Sequence, residues 1–392
     1  IYDPGDLIRI SHGEFRKNSM DRTFLQAHRV VCLFSGGLDG TYLFQHIHTV
    51  WPSATVLALT VDLGGGEASR ARRVCERFGF EHLVVDRTNE FLTGYVFPAI
   101  AAQAVYLGTH PISASLSRPL MAQVATALAR ERGYDAVLHT ADGTQNSLRR
   151  FNQTIAALRF EGSYGSPYAT DAPSREKKMQ AIADDKLIEL VCSESSLYST
   201  DVNIWCREFE ADGLEFPKNI DVPESLYKWT RPQATEPVEA EVSFDRGVPV
   251  GLDGVLLPPV QLVRRLNALM GSYGVGRYVG LEEIANGTKV QEVRETPAAH
   301  LLLDAYRRLE QASVDAATLR EKTHIEQLWV HEAVEGRWLG PLRIAAQAFI
   351  ASVARTVSGR VRYRVSPSGL TPRAVIADNP RYVRDRAEIP QS

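Results

Sequence analysis

At 392 residues the chain exceeds one typical domain, so two domains are expected. With 44% hydrophobic and 23% charged residues and a net charge of −3, it has the balance of an ordinary globular protein and no broad electrostatic footprint for nucleic acid. The four cysteines, Cys32, Cys75, Cys192 and Cys206, stand far apart with no C-x-x-C pair, and no apolar run reaches membrane-spanning length; zinc, a disulfide framework and a bilayer are not indicated, and a reducing cytoplasm is the simplest setting.

Residues 1–28 carry breakers (Pro4-Gly5, Ser11-His12-Gly13) and no long periodic pattern, and read as an extension ahead of the first strand. Val30 to Phe34 is an uncharged apolar run suited to a strand covered on both faces of a parallel sheet. Ser35-Gly36-Gly37 breaks it, and Tyr42 to Ile47 opens a helix. A glycine turn between a strand and a helix N-terminus directs backbone N–H groups at an anion, so phosphate is the expected guest. There is no Gly-Lys-Ser/Thr loop and no G-x-G-x-x-G fingerprint. Thr55 to Val61 and Leu83 to Asp86 are further strands, with helical spacing over 68–78 between them; this alternation predicts a doubly wound α/β domain with a parallel sheet. Gly64-Gly65-Gly66 closes the second strand, as a wall of the same crevice or as a flexible loop.

Residues 119–132 form a strong helical pattern, followed by a buried strand over Ala136 to His139 and a long polar turn, Thr140 to Asn152, running into a helix. Phe160 to Ser174 is rich in Gly, Ser, Tyr and Pro and reads as a mobile connection. A domain boundary is expected between about 195 and 235. Beyond it, Val238 to Phe244 alternates as a half-exposed strand, helical spacing recurs at 259–270 and 297–312, and the end from Pro367 is polar and reads as surface. The expected division is an extension (1–28), a nucleotide-binding domain (29–195), a second α+β domain (196–375) and a short tail (376–392).

The loop Ser35-Gly36-Gly37-Leu38-Asp39 resembles that of the ATP pyrophosphatases, Ser-Gly-Gly-x-Asp-Ser/Thr, with Gly40 at the hydroxyl position and Thr41 as its neighbour. With Val96-Phe97-Pro98, Ser115 to Leu120, His139 to Phe151, Tyr198 to Asn203, Gly274 to Arg277 and Glu295 to Ala298, the chain resembles argininosuccinate synthases in order from about residue 29 to 375. The resemblance implies a ligase in which ATP, with Mg²⁺, adenylates the ureido oxygen of citrulline and the amine of aspartate displaces AMP. It implies nucleotide contacts at Phe34, Ser35, Gly36, Gly37, Leu38, Asp39, Gly40, Thr41, Val61 and Gly143, and catalytic roles for Asp39, Asn146 and Arg150. No metal-ligating set of protein residues is implied.

The resemblance places substrates at His110, Ser115, Arg118, Asp142, Asn146, Ser147, Arg150, Ser199, Glu208, Arg294, and at Glu282 or its neighbour Glu283. Several of these depart from the family: His110 and Arg294 stand for tyrosines, Ala114 and Asp142 for threonines, Glu208 for a serine, Thr144 for a lysine and Ser147 for an aspartate. Activation of an oxygen by AMP is therefore expected to persist with a different acceptor, a different amine, or both. Genuine argininosuccinate synthesis and a non-catalytic nucleotide-binding relative are the alternatives. A thiolating tRNA enzyme would need paired catalytic cysteines, and His46, His48 and His139 have no metal spacing. The expected partners are small molecules, with neither nucleic acid nor membrane. A homo-oligomer is expected, although the chain stops soon after Arg384, before the helix that links subunits in the family's tetramer.

Overall fold

The computed structural model describes residues 27–66, 68–182, 185–191, 199–210, 217–218, 221–284 and 287–383. Residues 1–26 of the expected extension, the part of the tail beyond 383, and residues 195–198, 211–216 and 219–220 of the expected boundary lie outside them.

The chain opens with β1 (Arg29–Leu33), α1 (Leu38–Val50), β2 (Thr55–Asp62), α2 (Ala68–Phe78) and β3 (Glu81–Asp86). α3 (Thr88–Phe91) passes through a π-helical turn, Leu92–Val96, into α4 (Phe97–Ala101). A small hairpin, β4 (Val105–Tyr106) and β5 (His110–Pro111), leads to α5 (Ala114–Arg132). β6 (Ala136–Leu138), α6 (Asn146–Ala157), β7 (Ser163–Gly165), α7 (Arg175–Ala181) and α8 (Asp185–Val191) follow.

β1, β2, β3, β6 and β7 form one five-stranded parallel sheet in the order β3-β2-β1-β6-β7. Side chains alternate between its faces. Val31, Leu33, Leu57, Leu59 and Val137 enter a large core that continues through α5 into the rest of the molecule, while Val30, Cys32, Val56, Ala58 and Leu138 pack beneath α1, α2 and α8. The connection expected over 160–174 is corrected here: Ser163–Gly165 pairs with Ala136–Leu138 as the sheet's last strand, and Tyr168 is buried. Gly162 lets this segment close on the sheet, since a Cβ there would lie 2.4 Å from the Asp135 carbonyl oxygen.

The second half supplies β8 (Ser199–Val202), β9 (Arg207–Glu210), β10 (Val238–Asp245), β11 (Val248–Leu252), β12 (Val255–Leu256) and α9 (Pro259–Ser272). β13 (Arg277–Glu283), β14 (Lys289–Glu295), α10 (Pro297–Ser313), α11 (Ala316–Val334), α12 (Pro341–Ala354), β15 (Gly359–Ser366) and β16 (Gly369–Ala377) complete it. Two antiparallel sheets result, β13-β14-β9-β8 and β12-β11-β10-β15-β16, with α9 and α10 packed together. The end from Pro367 lies on the surface as expected, as β16, a partly exposed edge strand paired along β15. Among the described residues no helix is long and apolar enough to cross a membrane.

The two halves meet at the glycine run after β2. Ile204 N–H donates to the Leu63 carbonyl at 2.8 Å, and a Cβ on Gly65 would lie 2.3 Å from the Val202 carbonyl oxygen. Gly65 is thus required by the close approach of the two backbones. Gly65→Ala should overpack this contact and cost about 1–3 kcal/mol in urea unfolding; an unchanged midpoint would show that the approach is not needed.

Candidate active site

The loop after β1 is a backbone device. Gly36 has φ +80°, and a Cβ there would lie 2.6 Å from the Ala71 nitrogen. Gly37 caps α1 with no side-chain hydrogen bond, which leaves the first N–H groups of the helix to an outside acceptor. A Cβ on Gly40 would lie 2.4 Å from the Phe34 ring, so the ring occupies the space where related loops carry a hydroxyl residue. Thr41 beside it is fully buried, and its hydroxyl donates to the Gly37 carbonyl at 2.8 Å. Asp39 remains half-exposed, with Lys178 Nζ at 2.7 Å from its Oδ1. Tyr168 O–H donates to the Asp39 carbonyl at 2.9 Å, and the Lys178 ammonium lies 5.0 Å from the Tyr168 ring centre. Sequence reasoning missed Lys178, because its run Arg175-Glu176-Lys177-Lys178 reads as a solvated face.

A cleft of about 500 Å³ lies between the turn after β6 and the β13-β14-β9-β8 sheet. Of the residues expected at substrates, Arg118, Asp142, Asn146, Ser147, Arg150, Ser199, Glu208 and Glu282 line it. His110, Ser115 and Arg294 are buried and not part of its lining, and neither are residues 34–41, Val61 and Gly143. Gly143 packs instead against the backbone at Ala169, where its Cβ would lie 2.4 Å from the carbonyl oxygen. Of Glu282 and Glu283, the alternation along β13 buries Glu282, which lines the cleft, and leaves Glu283 exposed.

Five ionisable side chains, Arg294, Glu208, Glu282, Glu292 and Arg150, meet under the cleft. Arg294 and Glu208 are directly opposite each other across β14 and β9, with Arg294 Nε to Glu208 Oε1 at 2.9 Å. Arg294 Nη2 reaches Glu282 Oε2 at 2.6 Å and also bonds Glu292. Glu282 Oε1 accepts from Arg150 Nη2 at 2.8 Å and Asn146 Nδ2 at 2.9 Å, while Arg150 Nε donates to the Val334 carbonyl at 3.0 Å. The Arg150 fork, expected at a substrate, therefore has protein partners in two directions. β14 is fixed beside this cluster by fully buried Glu295, whose oxygens accept from Trp229, Thr230, Lys228 and Arg207.

The charges sort by surroundings. Burial pushes Glu292 up to about 8, with Arg294 opposing and Glu282 and Glu208 reinforcing the rise. Burial also raises Glu208, again against Arg294. Burial would raise Glu282 too, but Arg150 and Arg294, with hydrogen bonds from Arg150 and Asn146, hold it well below the usual carboxylate range. His110 is lowered to about 3 by burial and then by Arg294, so it is neutral, with Nδ1 at 2.9 Å from Thr109 Oγ1. In the other half of the cleft, Asp142 accepts from Thr144 N–H at 2.9 Å and Thr144 Oγ1 at 2.5 Å. Arg118 bridges Asp201 at 2.9 Å and Ser147 Oγ at 3.1 Å.

Two family models match the chain: the arginosuccinate synthase N-terminal HUP domain over residues 29–189 and the arginosuccinate synthase C-terminal domain over residues 198–371. The argininosuccinate synthase of Synechococcus elongatus is 36% identical over 351 residues, covering 88% of this chain and 87% of that protein. That of Synechococcus sp. (strain JA-3-3Ab) is 38% identical over 347 residues, covering 87% and 85%.

Glu292 yields a pH prediction. Its folded pKa lies above the ordinary 4.5, so between about 4.5 and 8 the folded chain holds more protons than the unfolded one, and stability falls as pH rises through that window. Glu208 acts with the same sign. Glu292→Gln should flatten the decline in urea midpoint between about pH 5 and pH 8; an equal slope in the variant would contradict the assignment.

Proposed function

The chain belongs to the argininosuccinate synthase family, AMP-forming carbon–nitrogen ligases that use ATP, and from that premise we propose that it has been retuned to substrates other than citrulline and aspartate. In this reading the acceptor oxygen attacks the α-phosphorus, the bond to the bridging oxygen breaks, and pyrophosphate leaves into the turn at Ser35-Gly36-Gly37. Backbone N–H groups at the start of α1 meet the charge that develops on the leaving group. The amine then attacks the activated carbon and AMP departs, so binding has to align two reactants.

The residues present fit Mg²⁺ as an ion carried on the phosphates. Half-exposed Asp39 is the carboxylate on the loop itself. The ion would supply charge neutralisation at the leaving pyrophosphate.

One observation carries the retuning: the loop is built as a phosphate turn, while charged side chains occupy the floor of the neighbouring cleft as a bonded unit. Arg294 and Glu208, standing for a tyrosine and a serine, pair with each other across two strands. On the amine side, Asp142 replaces a threonine and turns a carboxylate into the cleft, where a substrate carboxylate would be repelled. Ser147, in place of an aspartate, is engaged by Arg118 rather than offering a charge to an ammonium.

Product analysis with ATP, citrulline and aspartate tests this. AMP release with that pair should be at least about a hundredfold slower than the family's ordinary rate, since a floor whose charges are already paired with one another leaves citrulline's ammonium no free carboxylate. AMP at a rate typical of the family would overturn the retuning.

A further inference from the structure

The phosphate turn offers an anion several backbone N–H groups and few side-chain donors. Gly40 supplies none, because the Phe34 ring fills the space beside it, and the Thr41 hydroxyl is spent on the Gly37 carbonyl. Exposed Ser35 is the remaining hydroxyl residue of the turn. Helix N–H groups amount to about half an elementary charge, well short of what a departing pyrophosphate carries.

A cation is built against this turn. Lys178 on α7 is only 7% exposed, and its ammonium lies 2.7 Å from Asp39 Oδ1 and 5.0 Å from the centre of the Tyr168 ring. Tyr168 in turn donates its hydroxyl to the Asp39 carbonyl. Asp39 is the second residue of α1, so the ammonium is fixed beside the first turn of that helix. There the N–H groups of Leu38, Asp39 and Gly40 precede the first bond within the helix, from Thr41 N–H to the Gly37 carbonyl.

An ammonium has three N–H donors. Among the described residues Asp39 is the sole hydrogen-bond partner of Lys178, and the Tyr168 ring covers a second direction. An ordinary surface ion pair would leave both partners in water, yet here the carboxylate side chain is 42% exposed and the lysine side chain 9%. Burying an ammonium with a donor unused costs free energy unless an acceptor completes it. The acceptor that this turn is shaped to receive is a phosphate oxygen.

We propose that Lys178 is a further catalytic residue of the AMP-forming step, its ammonium bonding the two phosphates that leave. The acceptor oxygen attacks the α-phosphorus, the bond to the bridging oxygen breaks, and its electron pair passes to pyrophosphate. Lys178 stays protonated throughout and donates a hydrogen bond to an oxygen on which charge develops. A point charge on a flexible four-carbon stem can follow that oxygen as the bond lengthens, which a glycine backbone cannot. The inference rests on the AMP-forming reading for its reaction, but not for its binding step.

Calorimetric titration of the full chain with metal-free inorganic pyrophosphate and, separately, with AMP tests it. Lys178→Gln should weaken pyrophosphate at least about tenfold and AMP less than about twofold, because the lost charge-assisted bond belongs to the leaving phosphates. Lys178→Arg keeps the charge and should stay within about threefold of the parent for both. Lys178→Met serves as the neutral variant should the glutamine one lose the parent's thermal transition. Unchanged pyrophosphate affinity in the neutral variant, equal losses for AMP and pyrophosphate, no recovery with arginine, or no pyrophosphate binding by the parent would overturn the proposal. Equal losses are the pattern of a lysine that only steadies Asp39. Nucleotide analysis of the parent after long incubation with ATP, citrulline and aspartate keeps the two readings apart. AMP as product with pyrophosphate binding indifferent to the substitution leaves the ligase standing and removes Lys178. ADP as product with a selective loss of pyrophosphate leaves Lys178 as a phosphate ligand and removes the ligase.

Discussion

A guanidinium removed from water must be met by carboxylates, and the cleft of this protein is arranged around that requirement at Arg294. Its partners come from three strands: Glu208 from β9, Glu282 from β13 and Glu292 from β14 itself. Removing Arg294 would leave buried carboxylates without their shared cation, at a cost of several kcal/mol. The surroundings of the neighbouring groups follow from this unit. Glu282 is held ionised between two arginines, Glu292 is left the least compensated, and His110 stays neutral beside a cation.

Activation and selection are carried by different materials. The phosphate turn works through backbone N–H groups and glycines whose missing Cβ atoms permit close approach, so side-chain changes elsewhere leave it intact. The neighbouring cleft is lined by side chains on α6, β9, β13 and β14, where single substitutions alter charge and shape. Both devices lie at the carboxyl ends of β1 and β6, adjacent strands on either side of the point where the sheet order reverses. A chain can therefore keep the chemistry of AMP transfer while its substrates change.

The strands β1, β2 and β3, the glycine turn and the helices α9 and α10 were legible because period and punctuation agree in each. β7 was not, since Ser163-Tyr164-Gly165 is short and set among turn formers, and only its pairing with β6 makes it a strand. α11 was hidden by burial of charge: Lys322 lies inside with Glu310 and Glu326, which blurs the apolar stripe a surface helix would show. In the cleft, sequence gave the charges of Glu208 and Arg294 but not that they face each other. That fact depends on the register between strands far apart in the chain. It converts two apparent substrate ligands into one internal pair, and Glu282 from a free acceptor into an occupied one.

The central claim is that this pair, as a unit, excludes the family's acceptor. A double-mutant cycle tests it most directly, with Glu208→Ser and Arg294→Tyr made singly and together and AMP release measured with citrulline. Each single change strands a buried charge and should give no gain, while the double variant frees Glu282 and should raise citrulline-dependent AMP release at least about tenfold over the parent. A double variant no better than the parent, or a single variant that gains as much, would contradict the account.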